Sequence, residues 1–271
     1  MTSTAPPFSA PPLRREIDGG VATLTLQSPV SRNALSLAMI EALIDALAAI
    51  EAEPAARVVV LAGEGPALSA GHDLKELQAH RNDGDRGRAF FERVMTRCAA
   101  LMRGIVRSPK PMIAAVEGVA TAAGCQLVAA CDLAIAGADA RFALPGVSIG
   151  LFCSTPLVAV GRAVSRKHAM EMALTGDLYD AAAAERFGLV NRVVPAGSAL
   201  GEAQRLAAKI AARSAATLAI GKRAFYRQMD MPLDDAYALA ARAMVENLLH
   251  PDSAEGVAAF LDKRPPRWEI A

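Results

Sequence analysis

Aromatic side chains are scarce, at 4% of the 271 residues with a single Trp. Packing must therefore rest on aliphatic residues, and a 53% hydrophobic composition rich in Ala favours helices. Neither sign of charge is in excess: 29 basic against 28 acidic side chains leave +1, which gives no general basis for a nucleic-acid or membrane partner. Cysteine is sparse as well. Cys98, Cys125, Cys131 and Cys153 form no C-x-x-C pair, so neither a disulfide framework nor a zinc site is expected, and a reduced cytoplasmic compartment is the simplest reading. Long apolar runs are missing: Met112–Val116 is far too short to span a bilayer. The Pro/Ala-rich start has no apolar core of signal-peptide length, and residues 1–12 are expected to be disordered.

What is present reads as an α/β chain. Leu13–Ile17 and Val21–Leu26 alternate around Asp18-Gly19-Gly20 as a hairpin. Ser36 caps a helix to about Ala52, and Val58–Ala62 follows as a buried strand. The Gly63–Gly71 loop then leads into a charged helix opening at Asp73. Gly84–Arg107 is mostly helical. Met112–Val116, the Gly118–Gly124 loop, a helix over Cys125–Ala130 and a strand over Leu133–Ala136 come next. From Pro156 onward helices dominate: Pro156–Val164, Arg166–Thr175, Ala181–Phe187, Leu200–Ala212, Leu218–Arg227 and Leu233–Asn247. A last helix to about Asp262 opens on an Asp252/Glu255 capping box.

Strand, Gly-rich loop, helix thus occurs twice, and such a loop turns free backbone N–H groups toward whatever sits there. A dinucleotide fingerprint is disfavoured because Leu68 stands where the third Gly belongs. A Walker loop is disfavoured because no Gly-Lys-Ser/Thr follows either loop. Two N–H groups meeting at one carbonyl oxygen, an oxyanion hole, fit two matching junctions, and so do two ordinary turns.

Several ordered motifs tip this balance. Ser31-Arg32-Asn33-Ala34-Leu35, Leu68-Ser69-Ala70-Gly71-His72-Asp73-Leu74-Lys75, Gly118 to Asp132, Leu174-Thr175-Gly176, Gly188-Leu189-Val190 and Val193-Val194-Pro195 resemble, in order, the landmarks of the enoyl-CoA hydratase/isomerase (crotonase) family. Pro145-Gly146-Val147, Gly150 to Pro156 and Phe260 to Arg264 carry a narrower likeness to one subgroup. The resemblance implies a crotonase-type spiral of ββα units over residues 13–195 and a helical trimerisation region over 196–271. It implies an enzyme, a lyase or isomerase, that binds an acyl-CoA thioester and stabilises its enolate between the backbone N–H groups of His72 and Ala123. Ala70, Asp73 and Leu74 match positions that line the acyl-CoA cleft. Arg32, Lys75 and, from a neighbouring subunit, Lys263 match candidates for the CoA phosphates. No cofactor beyond the substrate's CoA is implied, and a homotrimer or hexamer is.

The chain departs from the family where a hydratase carries its two glutamates. Gln126 and Gly146 stand there, and neither can exchange a proton near neutral pH. Classical hydration is therefore in doubt, and a catalytically silent acyl-CoA binding or regulatory protein is the alternative. Four substitutes have bland readings beside them. His72 is expected to turn to solvent or to Asp73, Asp73 to cap a helix and Cys153 to be a small apolar filler; Ser154 or Thr155 could orient a water, but Thr155-Pro156 reads better as the start of a helix.

Overall fold

The computed structural model describes residues 12–269. Its strands are β1 (Leu13–Asp18), β2 (Val21–Leu26), β3 (Val58–Gly63), β4 (Ala67–Ser69), β5 (Met112–Val116), β6 (Val119–Thr121), β7 (Leu133–Gly137), β8 (Arg141–Ala143), β9 (Tyr179–Asp180) and β10 (Arg192–Val194). Its helices are α1 (Leu37–Glu51), α2 (Leu74–Ala79), α3 (Arg88–Arg107), α4 (Ala123–Ala130), α5 (Ser154–Ala163), α6 (Arg166–Thr175), α7 (Ala181–Phe187), α8 (Ala199–Ala211), α9 (Ala215–Gln228), α10 (Leu233–Leu249) and α11 (Pro251–Leu261).

Two sheets run beside each other, ordered β1-β2-β3-β5-β7-β10 and β4-β6-β8-β9. After the antiparallel β1–β2 hairpin the first sheet is wholly parallel, and in the second β4, β6 and β8 are parallel while β9 closes antiparallel. Each turn of the chain lays one strand in each sheet and then a helix: β3-β4-α2, then β5-β6-α4. This is the spiral of ββα units expected from the sequence.

Side-chain alternation divides the core. Val59 and Leu61 of β3 point into the main cluster with α1, α3 and α4, whereas Val58 and Val60 point the other way. That second face is covered by α8, whose Ala199, Ala203, Ala207 and Ala211 recur at i, i+4 and let the helix lie close to the sheet. So α8, grouped with the C-terminal helices on sequence, packs on the sheet. Pairs of buried groups lock the layers. Glu117 Oε1 accepts from the N–H of Ala199 at 2.7 Å. Asp132 accepts from Lys222 Nζ at 2.7 Å, Tyr226 Oη at 2.9 Å and the Met112 N–H at 2.7 Å, which ties α9 to β5.

Several expectations need correction. The two Gly-rich loops contain the short strands β4 and β6, which three residues between Gly and Pro punctuation do not announce. Residues 84–87 turn, with Gly87 at φ 83, before α3 begins at Arg88. Helix α5 begins at Ser154 with Cys153 in the cap position, so Thr155 and Pro156 lie inside its first turn. Helix α11 begins at Pro251, whose ring fixes the first helical position, with His250 as cap. Asp252, expected as that cap, is instead buried and accepts from Ser214 Oγ at 2.5 Å and the Glu269 N–H at 2.7 Å. The segment expected to be disordered, residues 1–12, lies outside the described residues except for Pro12, whose carbonyl accepts from the Gln27 N–H at 2.8 Å.

Candidate functional site

The two strand-to-helix junctions are pressed together. A side chain on Gly71 would place its Cβ 2.9 Å from the Ala122 Cβ and 3.2 Å from the Ala123 N. One on Gly124 would come within 2.1 Å of the Ser69 carbonyl oxygen. Glycine at both positions is thus required by space, and Gly71 also holds φ 90. Thr121 Oγ1 donates to the Ala70 carbonyl at 3.2 Å, a direct tie between the loops.

The first loop is held on its other side by residues 32–35. The Ala70 N–H donates to the Arg32 carbonyl (2.9 Å), the Leu35 N–H to the Gly71 carbonyl (2.7 Å), and the Asp73 N–H to the Leu35 carbonyl (3.4 Å). In a parallel bridge of this kind the central residue, His72, directs its own N–H away from the partner segment. On the second loop Ala123 is the first residue of α4, so its N–H has no intrahelical acceptor. Among the described residues neither N–H donates to a protein acceptor. Ala122, immediately before, holds φ 50 and ψ −118, a conformation costly for any residue with a Cβ. The strain sits at the peptide that aims the Ala123 N–H.

Asn33 organises this framework and was not recognised from the sequence. It is fully buried at φ 52; Nδ2 donates to the carbonyls of Ala67 (2.8 Å) and Glu64 (2.9 Å), and Oδ1 accepts from the Ser28 N–H (2.8 Å). Ser69 Oγ donates to the Asn33 carbonyl at 2.8 Å and accepts from the Gly71 N–H at 3.2 Å. The available signal was chemical: Asn tolerates the left-handed region better than other residues with a Cβ.

The expected site residues fall as follows. Asp73 caps α2, accepting from the N–H groups of Lys75 (2.9 Å) and Glu76 (3.2 Å). Leu74 and Lys75 are exposed beside it, and Arg32 is exposed with φ 55 on the segment paired to the loop. Arg32, Ala70, Asp73, Leu74 and Lys75 therefore gather around the first loop. Lys263 lies just beyond the end of α11, which packs on α9 and α10 and not on the first loop.

His72 does not turn to solvent or to Asp73. Its Nε2 is buried with no hydrogen-bond partner, and burial holds the imidazole pKa below its ordinary value, so the neutral ring prevails. Gln126 stands one turn beyond Ala123 and is 3% exposed, and its Oε1 is the second buried polar atom without a partner here. Gly146 is the buried residue of a 3-10 turn, Pro145–Ile149, whose far end is exposed. A Cβ there would meet the Leu151 carbonyl oxygen at 2.7 Å and Cys153 Sγ at 2.9 Å. A side chain at 146 therefore has no room unless its neighbours shift. Cys153 is buried with its thiol pKa raised, and Cys125 is pushed up to about 12 by burial, so neither offers a thiolate.

A cavity of about 570 Å³ lies at the far end of α4, lined by Val128, Asp132, Leu189, Tyr226 and Met229 among others. Its charged floor is already paired in the Asp132–Lys222 bridge.

A family profile described as enoyl-CoA hydratase/isomerase matches residues 16–270. The chain is 48% identical to the mitochondrial enoyl-CoA hydratase domain-containing protein 3 of Rattus norvegicus, over 92% of this chain and 81% of that one. Among solved structures it is similar to an enoyl-CoA hydratase of Mycobacterium smegmatis, with TM-score 0.90 and 48% identity over 96% of this chain and 99% of that one. It is also similar to human enoyl-CoA hydratase domain-containing protein 3, with TM-score 0.90 and 44% identity over 95% of this chain and 100% of that one. The narrower likeness is thus to the domain-containing protein 3 subgroup, and the fold is the crotonase fold. The rat and human domain-containing protein 3 relatives correct the expected cytoplasmic compartment, because their names place them in mitochondria. Unpaired cysteines indicate only a reducing environment, which does not single out the cytosol.

Proposed function

The chain belongs to the enoyl-CoA hydratase/isomerase family, and from that premise we propose that it is an enzyme that binds an acyl-CoA thioester and polarises its carbonyl between the N–H groups of His72 and Ala123. The observation that carries this is the crossing at Gly71 and Ala123, where two unpaired donors are held by close packing, a strained Ala122 and the Asn33 network. Such donors act on charge that develops as an enolate forms, and losing one typically costs about 3–4 kcal/mol of transition-state stabilisation. Arg32 and Lys75 flank the same loop as partners for CoA phosphates.

Gln126 and Gly146 argue against hydration as the reaction, since water addition needs a base and an acid that these positions do not supply. Incubation with 2-enoyl-CoA thioesters of several lengths, following the conjugated chromophore, is expected to match the enzyme-free rate. Calorimetric titration tests the binding proposal: butanoyl-CoA binds and shortened CoA-free thioesters bind far more weakly. Absence of butanoyl-CoA binding would remove the proposal. A silent acyl-CoA binding protein is favoured by one observation, the filled space at Gly146; turnover of any thioester ends that reading.

The assembly proposed is a homotrimer or hexamer. It is supported by the apolar surface that the C-terminal helices leave bare, with Leu233, Tyr237, Leu249, Phe260 and Leu261 each more than two-thirds exposed. Light scattering tests it, and a single chain mass would exclude it. By likeness to its relatives the protein works in mitochondria, which fractionation of its native cells tests.

A further inference from the structure

We infer that the cavity at the far end of α4 is a second ligand site, suited to a neutral molecule with an apolar body and one hydrogen-bond acceptor. It is separate from the proposed thioester site and does not rest on it. The Ala123 N–H lies at the N-terminal end of α4 and the cavity at its C-terminal end, an eight-residue helix or about 12 Å away.

Size and walls come first. At about 570 Å³ the cavity is far larger than a packing void, and it falls in the range of about 300–1,000 Å³ that small-molecule sites occupy. Val106, Val128 and Leu189 line it, together with Phe225 and Met229, which stand one turn apart on α9. Phe225 and Met229 are half exposed, so large and adaptable apolar surface is left bare at the opening. Gly161 is an independent sign. It lies within α5, where glycine weakens a helix relative to alanine. Its φ is not left-handed and a Cβ there would meet nothing within 4 Å, so neither conformation nor space requires glycine. Gly161 is exposed and lines the cavity, and its lack of a side chain keeps the entrance clear.

Charge decides the ligand class. Asp132, on the floor, already accepts from Lys222 Nζ, Tyr226 Oη and the Met112 N–H. Arg162 and Asp230, also in the lining, pair with each other at 3.5 Å. An ionic ligand would have to break one of these pairs, whereas a neutral one leaves both intact. One polar group in the lining has capacity to spare. Asn191 Oδ1 accepts from the Ala134 N–H at 2.8 Å, which fixes the amide, and Nδ2 has no acceptor among the described residues. A carbonyl or ether oxygen on the ligand suits that donor.

The test uses prodan, a neutral naphthyl ketone whose emission shifts to the blue in apolar surroundings, titrated into the full chain in its native assembly. Wild type is expected to take up one molecule per chain, with a dissociation constant on the order of 10–100 µM. Gly161→Trp should fold as wild type does, since nothing opposes its Cβ, and should abolish uptake by filling the cavity. Asn191→Asp keeps the acceptor for the Ala134 N–H and removes the donor, and should weaken uptake about 5–10-fold, the usual worth of one hydrogen bond. Phe260→Ser, on the bare face of the C-terminal helices, should leave uptake unchanged. No blue-shifted emission from wild type overturns the inference. So does equal uptake by Gly161→Trp, or uptake lost in Phe260→Ser, which marks adsorption to the exposed helices. If wild type takes up no probe and Gly161→Trp changes the mass read by light scattering, the cavity houses a second copy of the chain and the inference falls. Wild-type affinity in Asn191→Asp overturns it whether or not Gly161→Trp folds.

Discussion

Gly146 offers a direct test of whether a side chain is sterically excluded at that position. Its φ is not in the left-handed region, so conformation does not demand glycine. Space does: a Cβ would sit 2.7 Å from the Leu151 carbonyl oxygen and 2.9 Å from Cys153 Sγ, with the Leu151 N–H bound back to the Gly146 carbonyl at 2.9 Å. The turn is therefore clamped from both directions and cannot simply swing away. Gly146→Ala should cost about 1–3 kcal/mol, the usual range for overpacking a close-packed site. In a chain of this length that corresponds to a loss of about 2–5 °C in melting temperature. Cys153→Ala on the same background should restore part of the loss, the part owed to Sγ, while the carbonyl contact persists. A double-mutant cycle by circular dichroism melting isolates that coupling. The functional corollary is that Gln126→Glu combined with Gly146→Glu should not yield a hydratase, because the second carboxylate has nowhere to go. Wild-type stability in Gly146→Ala would refute the steric argument. Rapid loss of the enoyl chromophore with the double glutamate variant would refute it independently.

Other outcomes follow from the same packing. Asn33→Ala should cost about 2–5 kcal/mol in urea unfolding, since it leaves two carbonyls and one N–H of a buried loop without partners. Asn33→Asp should do no better, because it faces those two carbonyls with an acceptor. Lys222→Met should cost about 3–5 kcal/mol by leaving Asp132 uncompensated, and Asp132→Asn on that background should recover part of it, as read in denaturant melts. Ala122→Gly should gain about 1 kcal/mol by removing a Cβ from φ 50, while thioester turnover falls as the Ala123 donor loses its fixed direction. The pH dependence has a definite sign. His72 is held below its unfolded pKa of about 6.5, so the unfolded chain binds more protons as pH falls through that value. Stability should be level above that pH and decline below it, and His72→Gln should flatten the acid side of a melting-temperature profile.

How much of this could be read from residues alone depends on how local each cause is. Buried strands such as Val58–Gly63 and Met112–Val116 announce themselves by continuous apolar runs, and Ser36 and Asp73 by their position before a helix. Asp73's capping role held. The three-residue strands β4, β6 and β8 were not legible, because their pairing is a property of neighbouring turns of the spiral. His72 was misread for the same reason: its burial comes from what packs around the loop, and nothing adjacent in sequence encodes it. Asp252 looked like a cap and became a buried tie to Ser214 and the C-terminal tail, since Pro251 had already fixed the start of α11.

The contrast between the proposed backbone donors and the side chains at 126 and 146 has a physical logic. A backbone N–H is supplied by any residue but proline, so the donors at His72 and Ala123 depend on the close approach that Gly71 and Gly124 permit and on the ties from Asn33, Ser69 and Thr121. An acid or base, by contrast, is a single side chain and vanishes with one substitution. A side chain at 146 has no such freedom, because the Leu151 carbonyl and Cys153 Sγ already occupy the space its Cβ would need.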